Sequence, residues 1–407
     1  MDIYSLPGIP NIHSHAFQRA MAGLAERQSD PDDSFWTWRE LMYRFAGRVT
    51  PESLRDIAAQ LFVEMLESGF TSVCEFHYLH HQADGRPYAQ PSAMSLALIA
   101  AAEEAGIRLT LLPVLYMTGG FDGRELSDRQ RRFGHDVDGF IKMVESLRAL
   151  ENPMLRVGMA LHSLRAVPED ALRAVLASPI AGAGRPIHIH VAEQVAEVEA
   201  CIASRGARPV EWLLDNAPVN EHWTLVHATH VNDRELMDIA SSKAVVGLCP
   251  TTEANLGDGL FPLRDFLQQD GRIAIGSDSN VSVSPVEELR WLEYGQRLAT
   301  RQRNIASTPA LPSAGESLVS RCVHGGRQSN GFEQQDGDRI VLDPASLSLA
   351  GAAAADVHDR FVFAGNRNLV KDVYVAGKKV IGDGRHASGE LIAQRYARAL
   401  RALLADG

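Results

Sequence analysis

The stretch RPIHIHVAE, Arg185 to Glu193, is an apolar run of strand length that ends in chemistry. Residues in a β-strand alternate faces, so His188 and His190 share one face, and Glu193 follows in the turn that leaves the strand. The same design recurs along the chain as LPGIPNIHSH (6–15), GFTSVCEFHYLH (69–80), IRLTLLPVLYM (107–117), LRVGMALHSLR (155–165), HWTLVHATH (222–230), AVVGLCPTTEAN (244–255) and RIAIGSDSN (272–280). Most of these runs terminate in His, Glu, Arg, Asn or Asp.

Helical patterns separate the runs. In TPESLRDIAAQLFVEMLESG (50–69), Thr50 is placed to cap, Pro51 fits the first helical position and Gly69 closes the end. SAMSLALIAAAEEAG (92–106) repeats the pattern and again ends on Gly. Strands alternating with helices pair in parallel through right-handed crossovers. Eight such units predict an α/β fold, a closed (β/α)8 TIM-type barrel over residues 7–330, with its chemistry at the C-terminal ends of the strands.

Beyond residue 300 the character changes. TRQRNIASTPALPSAGES reads as a loop entering a helix near Ser317–Gly325, and DRIVLD, FVFAG and VKDVYVAGKKVIGDG read as short strands. These define a small β domain over 335–386, followed by an amphipathic helix over 388–407 that packs on the barrel or on a second subunit.

The 407 residues, 45% hydrophobic and 22% charged, have ordinary globular composition and can bury a large core. A net charge of -11 argues against nucleic acid as the main partner, because no basic field releases counterions. Uninterrupted apolar stretches of spanning length are missing, as are the basic and apolar regions of a signal peptide, so a cytoplasmic protein with no membrane partner is expected. Cys74, Cys201, Cys249 and Cys322 lie far apart without a C-x-x-C pair and read as reduced, buried thiols.

His13 and His15, His188 and His190, His227 and His230, and Asp278 stand at the ends of the first, fifth, sixth and eighth runs. On one barrel they supply two or three imidazoles and a carboxylate to one mouth, a set that suits Zn²⁺ first and Fe²⁺ second. His188 is expected at the rim or behind a ligand. His77, His80, His81 and His230 are expected to be solvated or to back the ligands. Cys249 reads as a packed residue, and GGFDGRELSDRQRRFGHD (119–136) as a mobile loop near the site.

H-x-H after the first strand, H-x-x-E after the fifth, His after the sixth and S-D-S-N after the eighth resemble the amidohydrolase superfamily. No Lys ends the fourth run, which points to the mononuclear, deaminase-like branch. Within it, NIHSHAFQRAMAGLAE, FWTWRELMYRF, EFHYLHH, HSLRAV and CPTTEANLGDGLFP resemble the formimidoylglutamate deiminases of histidine degradation. The resemblance implies one divalent metal held by His13, His15, His190 and Asp278, an acid–base pair in Glu193 and His227, and substrate contacts from Gln18, Arg39, Tyr78, His162 and Arg165. It implies a small anionic substrate, N-formimidoyl-L-glutamate, hydrolysed to N-formyl-L-glutamate and ammonia, and a homodimer. Asp278 and His227 are both candidates for taking the proton of the attacking water.

Members of the family carry some tens of residues before the first strand that complete the small β domain, so that domain is expected to lack its N-terminal strands here. A sister aminohydrolase acting on a purine, pyrimidine or pterin is the alternative and predicts aromatic stacking in place of Arg39 and Arg165. A non-catalytic, metal-stabilised barrel predicts a missing acid–base residue, whereas Glu193 and His227 are both present.

Overall fold

The computed structural model describes residues 2–26, 35–182, 184–332 and 335–405. Strand β1 (Ser5–Pro7) is followed by the barrel staves β2 (Ile9–Ser14), β3 (Phe70–His77), β4 (Arg108–Leu115), β5 (Leu155–Val157) continued by β6 (Met159–Ser163), β7 (Ile187–Val191), β8 (Trp223–His227), β9 (Val245–Leu248) and β10 (Arg272–Ile275). Neighbouring staves pair in parallel from β2 through to β10. Helices cover the outside, so the strands are buried on both faces; every residue of β2, β3, β4 and β7 is buried. The (β/α)8 barrel expected from the eight runs is the fold.

Local chemistry follows the sequence closely. The helix Pro51–Ser68 starts with a capping box between Thr50 and Ser53 and ends at Gly69 with φ of 112°. Between β10 and β2 the barrel closes through a bridge of Ser14 with Asp278. The Asp278 N–H donates to the His13 carbonyl at 2.9 Å and the His15 N–H to the Asp278 carbonyl at 3.0 Å. Gly276 makes that approach possible, since a Cβ there would stand 2.7 Å from the His13 Cβ. Buried amides stitch the seam: the Asn11 Nδ2 donates to Ser277 Oγ at 2.7 Å, and the Asn280 Nδ2 to the His15 carbonyl at 3.2 Å.

The small sheet comprises β1, β11 (Arg339–Leu342), β12 (Val370–Val375), β13 (Lys378–Gly382) and β14 (Arg385–His386), all antiparallel. It draws on β1, whose Leu6 and Pro7 the sequence reading placed at the start of the first barrel run, and β1 pairs with β11, giving the sheet an N-terminal strand that it was expected to lack. A buried ion pair, Arg108 Nε to Asp338 Oδ2 at 2.8 Å, joins sheet to barrel.

FVFAG is not a strand: Phe361–Phe363 close the helix Val357–Phe363, where Val357, Phe361 and Val362 fall on one buried face. The helix expected near Ser317–Gly325 runs Ala314–Asn330, capped by the Ser313 hydroxyl. The last helix, Gly389–Ala405, packs on Pro51–Ser68, with Arg395 paired to Asp56 at 3.1 Å and to Glu104 at 2.7 Å; residues 406–407 of the expected helix lie outside the described residues. No helix among the described residues is long and apolar enough to cross a membrane.

Candidate active site

Strand ends bring His13, His15, His190 and Asp278 to one buried point. The His15 Nδ1–H donates to the Phe76 carbonyl and the His190 Nδ1–H to the His162 carbonyl, each at 2.9 Å. Those bonds fix the tautomer and turn both Nε2 lone pairs inward. The Nε2 atoms of His13 and His190 lie 3.0 Å apart, and Asp278 Oδ1 is 3.4 Å from His13 Nε2 and 3.3 Å from His15 Nε2. Burial depresses the basicity of His13 (to about 3), His15 and His190, which keeps these rings neutral, the form that binds metal. The inward lone pairs of His15 and His190 and the Asp278 carboxylate crowd one point, an arrangement that a cation among them would stabilise. Three nitrogens and one oxygen are the donor set of a catalytic zinc-type centre, and the residues present fit a metal there.

His227 ends β8 with φ of +68°, and Asp278 has φ of +47°. Non-glycine residues in this region carry about 1–3 kcal/mol of backbone strain each, which clusters at functional sites. The His227 Nδ1–H donates to Glu253 Oε1 at 3.2 Å, and the same oxygen accepts the Cys249 N–H at 2.9 Å. His227 Nε2 stands 3.8 Å from Asp278 Oδ2 and 3.9 Å from Glu193 Oε1. Burial alone would lower the His227 pKa, but the carboxylates of Glu193, Glu253 and Asp278 outweigh it and raise it to about 10. Burial pushes the Glu193 carboxyl up to about 7. Burial would raise the Asp278 pKa, but a hydrogen bond with His13 and the charge of His227 outweigh it and keep the carboxyl ionised.

A cavity of about 650 Å³ opens over this centre. Its walls include Gln18, Arg39, Tyr78, His162, Arg165 and Glu193, so all the substrate contacts read from the sequence face one space with the His–Asp cluster. Gln18 donates from Nε2 to the Tyr78 hydroxyl at 2.9 Å, while its Oε1 is buried without a hydrogen-bond partner among the described residues. Arg165 donates to the Tyr116 hydroxyl at 3.3 Å, and the Arg39 guanidinium lies 5.6 Å from the centre of the Tyr43 ring. The His162 ring sits 4.4 Å from that of Tyr116 and 5.2 Å from that of His190.

Other expectations need correction. Of the two alternatives read for them, solvation is excluded for His77 and His80, which are buried, and His81 is half-buried with its Nε2 2.8 Å from the Gly134 carbonyl. His188 is turned away from the centre, its Nε2 3.0 Å from the Ser329 carbonyl. The loop 119–136 is anchored, because Arg132 and Phe133 are buried and the Arg132 guanidinium bonds the Val49 carbonyl at 3.1 Å and the His81 carbonyl at 3.0 Å. The four cysteines are free and buried, as expected. Sequence reasoning missed Glu253, Glu197 and Asp258. Glu197 stands four residues past Glu193, in the first turn of the helix Val195–Arg205, where no sequence signal marks what it bonds.

The model of the amidohydrolase family matches residues 4–310. The chain is 50% identical to a formimidoylglutamate deiminase of Pseudomonas aeruginosa, over 98% of this chain and 89% of that one. A 5-methylthioadenosine/S-adenosylhomocysteine deaminase of Natronomonas pharaonis is 25% identical, over 93% and 81%. Among solved structures, an amidohydrolase from Brucella melitensis superposes with a TM-score of 0.93 at 46% identity, covering 98% of this chain and 90% of that one. A zinc-bound adenosine deaminase from Xanthomonas campestris, 20% identical with a TM-score of 0.80 over 98% and 86%, shares the fold. With the barrel, the strand-end His–Asp cluster and these matches in agreement, the chain belongs to the amidohydrolase family.

Proposed function

We propose that this chain hydrolyses N-formimidoyl-L-glutamate to N-formyl-L-glutamate and ammonia, a step of histidine degradation, in the cytoplasm and as a homodimer. The relative of that name at 50% identity supports the reading. The observation that carries it is the presence of Arg39 and Arg165 in the wall of the cavity that holds the His–Asp cluster. Two guanidiniums answer the two carboxylates of a glutamyl substrate, a demand that a nucleobase does not make.

His13, His15, His190 and Asp278 would hold one divalent metal, zinc in this proposal, which when bound supplies Lewis acidity that makes water a proton donor near pH 7. Arg39 and Arg165 bind the carboxylates, and the free Gln18 Oε1 accepts an amidine N–H. The Asp278 carboxylate takes a proton from water as the C–O bond forms at the amidine carbon. Glu193, whose carboxyl titrates near neutrality, gives its proton to the terminal nitrogen. As the C=O bond forms, Glu193 recovers a proton from the new hydroxyl, and the proton on Asp278 passes to the nitrogen, which leaves as ammonia. His227, held by Glu253, donates a hydrogen bond to the oxygen that accumulates charge. Ammonia release from N-formimidoyl-L-glutamate tests the reading, with a nucleoside such as 5-methylthioadenosine as the competing substrate.

A further inference from the structure

The turn that carries Glu193 does not hold its shape by strand pairing alone. Ala192 sits at φ of +53°, a left-handed conformation that an alanine adopts only when its surroundings impose it. Two groups impose it. The Ala192 carbonyl accepts the His230 N–H at 3.0 Å from the neighbouring stave. On the other side, the Glu197 carboxylate reaches back from the helix Val195–Arg205: Oε1 accepts the Ala192 N–H at 3.2 Å and Oε2 the Glu193 N–H at 2.9 Å.

A glutamate at the third position of a helix commonly accepts the N–H of the capping residue, here Gln194. Glu197 instead bonds the two residues before the cap, the strained alanine and Glu193 itself. Both carboxylate oxygens are committed in charge-assisted bonds, which fix direction as well as supplying energy. Glu197 also lines the same cavity as Arg165; burial raises its pKa, and the bonds from the Glu193 and Ala192 amides together with the Arg165 charge oppose that rise.

We infer that Glu197 is a positioning residue: its carboxylate locks the left-handed turn after β7 and so holds the Glu193 carboxyl at the reacting centre. This rests on the role proposed above for Glu193. A glutamine at 197 offers one oxygen and one NH2 group, and the NH2 faces an N–H donor, so one of the two bonds becomes a repulsion. E197Q is expected to lower kcat by about tenfold to a hundredfold while KM stays within about twofold, the range seen when an orienting partner is lost. E197D, which keeps the charge but withdraws it by one methylene, is expected to lower kcat as well.

The decisive experiment is a double-mutant cycle of E197Q with E193Q, read together with amide hydrogen exchange at Ala192 and Glu193. If Glu197 acts through Glu193, E197Q costs little more in the E193Q background, and both amides exchange at least about tenfold faster in E197Q. Additive losses, or wild-type kcat in either Glu197 variant, would overturn the inference. The exchange readout needs no substrate, so inactivity of the wild type on N-formimidoyl-L-glutamate would count against the proposed substrate alone. Unchanged exchange at both amides would count against the lock. Should E197Q not fold, E197D carries the same cycle.

Discussion

Asp278 is tied to His13 twice, once through its backbone N–H, which donates to the His13 carbonyl at 2.9 Å, and once through its carboxylate, 3.4 Å from His13 Nε2. The first bond closes the barrel between β10 and β2, and the second belongs to the donor cluster. Closing the fold and assembling the site are therefore one event. The D278N variant keeps the backbone seam while removing the charge that balances a dication. It is expected to fold, to retain less than about a tenth of the wild-type metal, and to lose activity accordingly. Metal analysis beside a melting curve checks this; a fully loaded D278N protein would refute it. Chelation of the wild type should lower Tm, because a ligand that binds only the native state at a thousand times its Kd contributes about 4 kcal/mol.

Arg165 presents its guanidinium to the cavity beside Tyr116. The R165M variant removes a charged partner from a substrate carboxylate, worth about 1.5–3 kcal/mol, so KM should rise by roughly tenfold to a hundredfold. Steady-state kinetics with unchanged KM would remove Arg165 from carboxylate recognition.

Glu253 shares one oxygen between the His227 ring and the Cys249 backbone. In E253Q that acceptor can persist but its charge is gone, and the imidazolium loses its partner. We expect kcat to fall about tenfold to a hundredfold with KM within about twofold. A KM effect alone would place Glu253 outside the reaction.

Asp258 accepts a hydrogen bond from the Gln194 amide through one oxygen, while the other is buried without a partner among the described residues. Burial, with the Glu193 charge nearby, raises its pKa to about 9 from an ordinary 3.8. The native state thus keeps a proton that the unfolded chain releases, so the contribution of Asp258 to stability is full below pH 3.8 and is lost as pH rises towards 9. Glu75, raised by burial to about 8, acts with the same sign. Buried histidines such as His13, lowered to about 3, have opposite sign but complete their effect below their ordinary 6.5. Tm of the metal-free protein should therefore fall between about pH 7 and 9, and D258N should flatten that slope. A Tm that rises over this window, or a D258N slope equal to the wild type's, would contradict the assignment.

The barrel was legible because its signal is repeated: each stave is a short apolar run with a polar end, and capping residues such as Thr50 and Gly69 mark the helices between. The convergence of His13, His15, His190 and Asp278 was legible because residues at the strand ends of a barrel share one mouth, while the choice of these four among the strand-end histidines came from the family resemblance. Glu253 and Glu197 were not legible, since their work is to bond a ring nitrogen and two backbone amides, and a glutamate in a helix's first turn looks the same whatever it caps. FVFAG misled because an aromatic, β-branched run satisfies either period when it is only five residues long. Strand β1 was merged with the first stave, because Leu6 and Pro7 read as the start of the run 6–15, and its partner β11 lies more than three hundred residues away.

The most direct test of the central claim is ammonia release from N-formimidoyl-L-glutamate by the metal-replete protein, repeated after chelation and after zinc is restored. The account predicts one ammonia and one N-formyl-L-glutamate per substrate consumed, loss of turnover with the metal, and recovery on reloading. Folded, zinc-loaded protein that releases no ammonia from this substrate would contradict it.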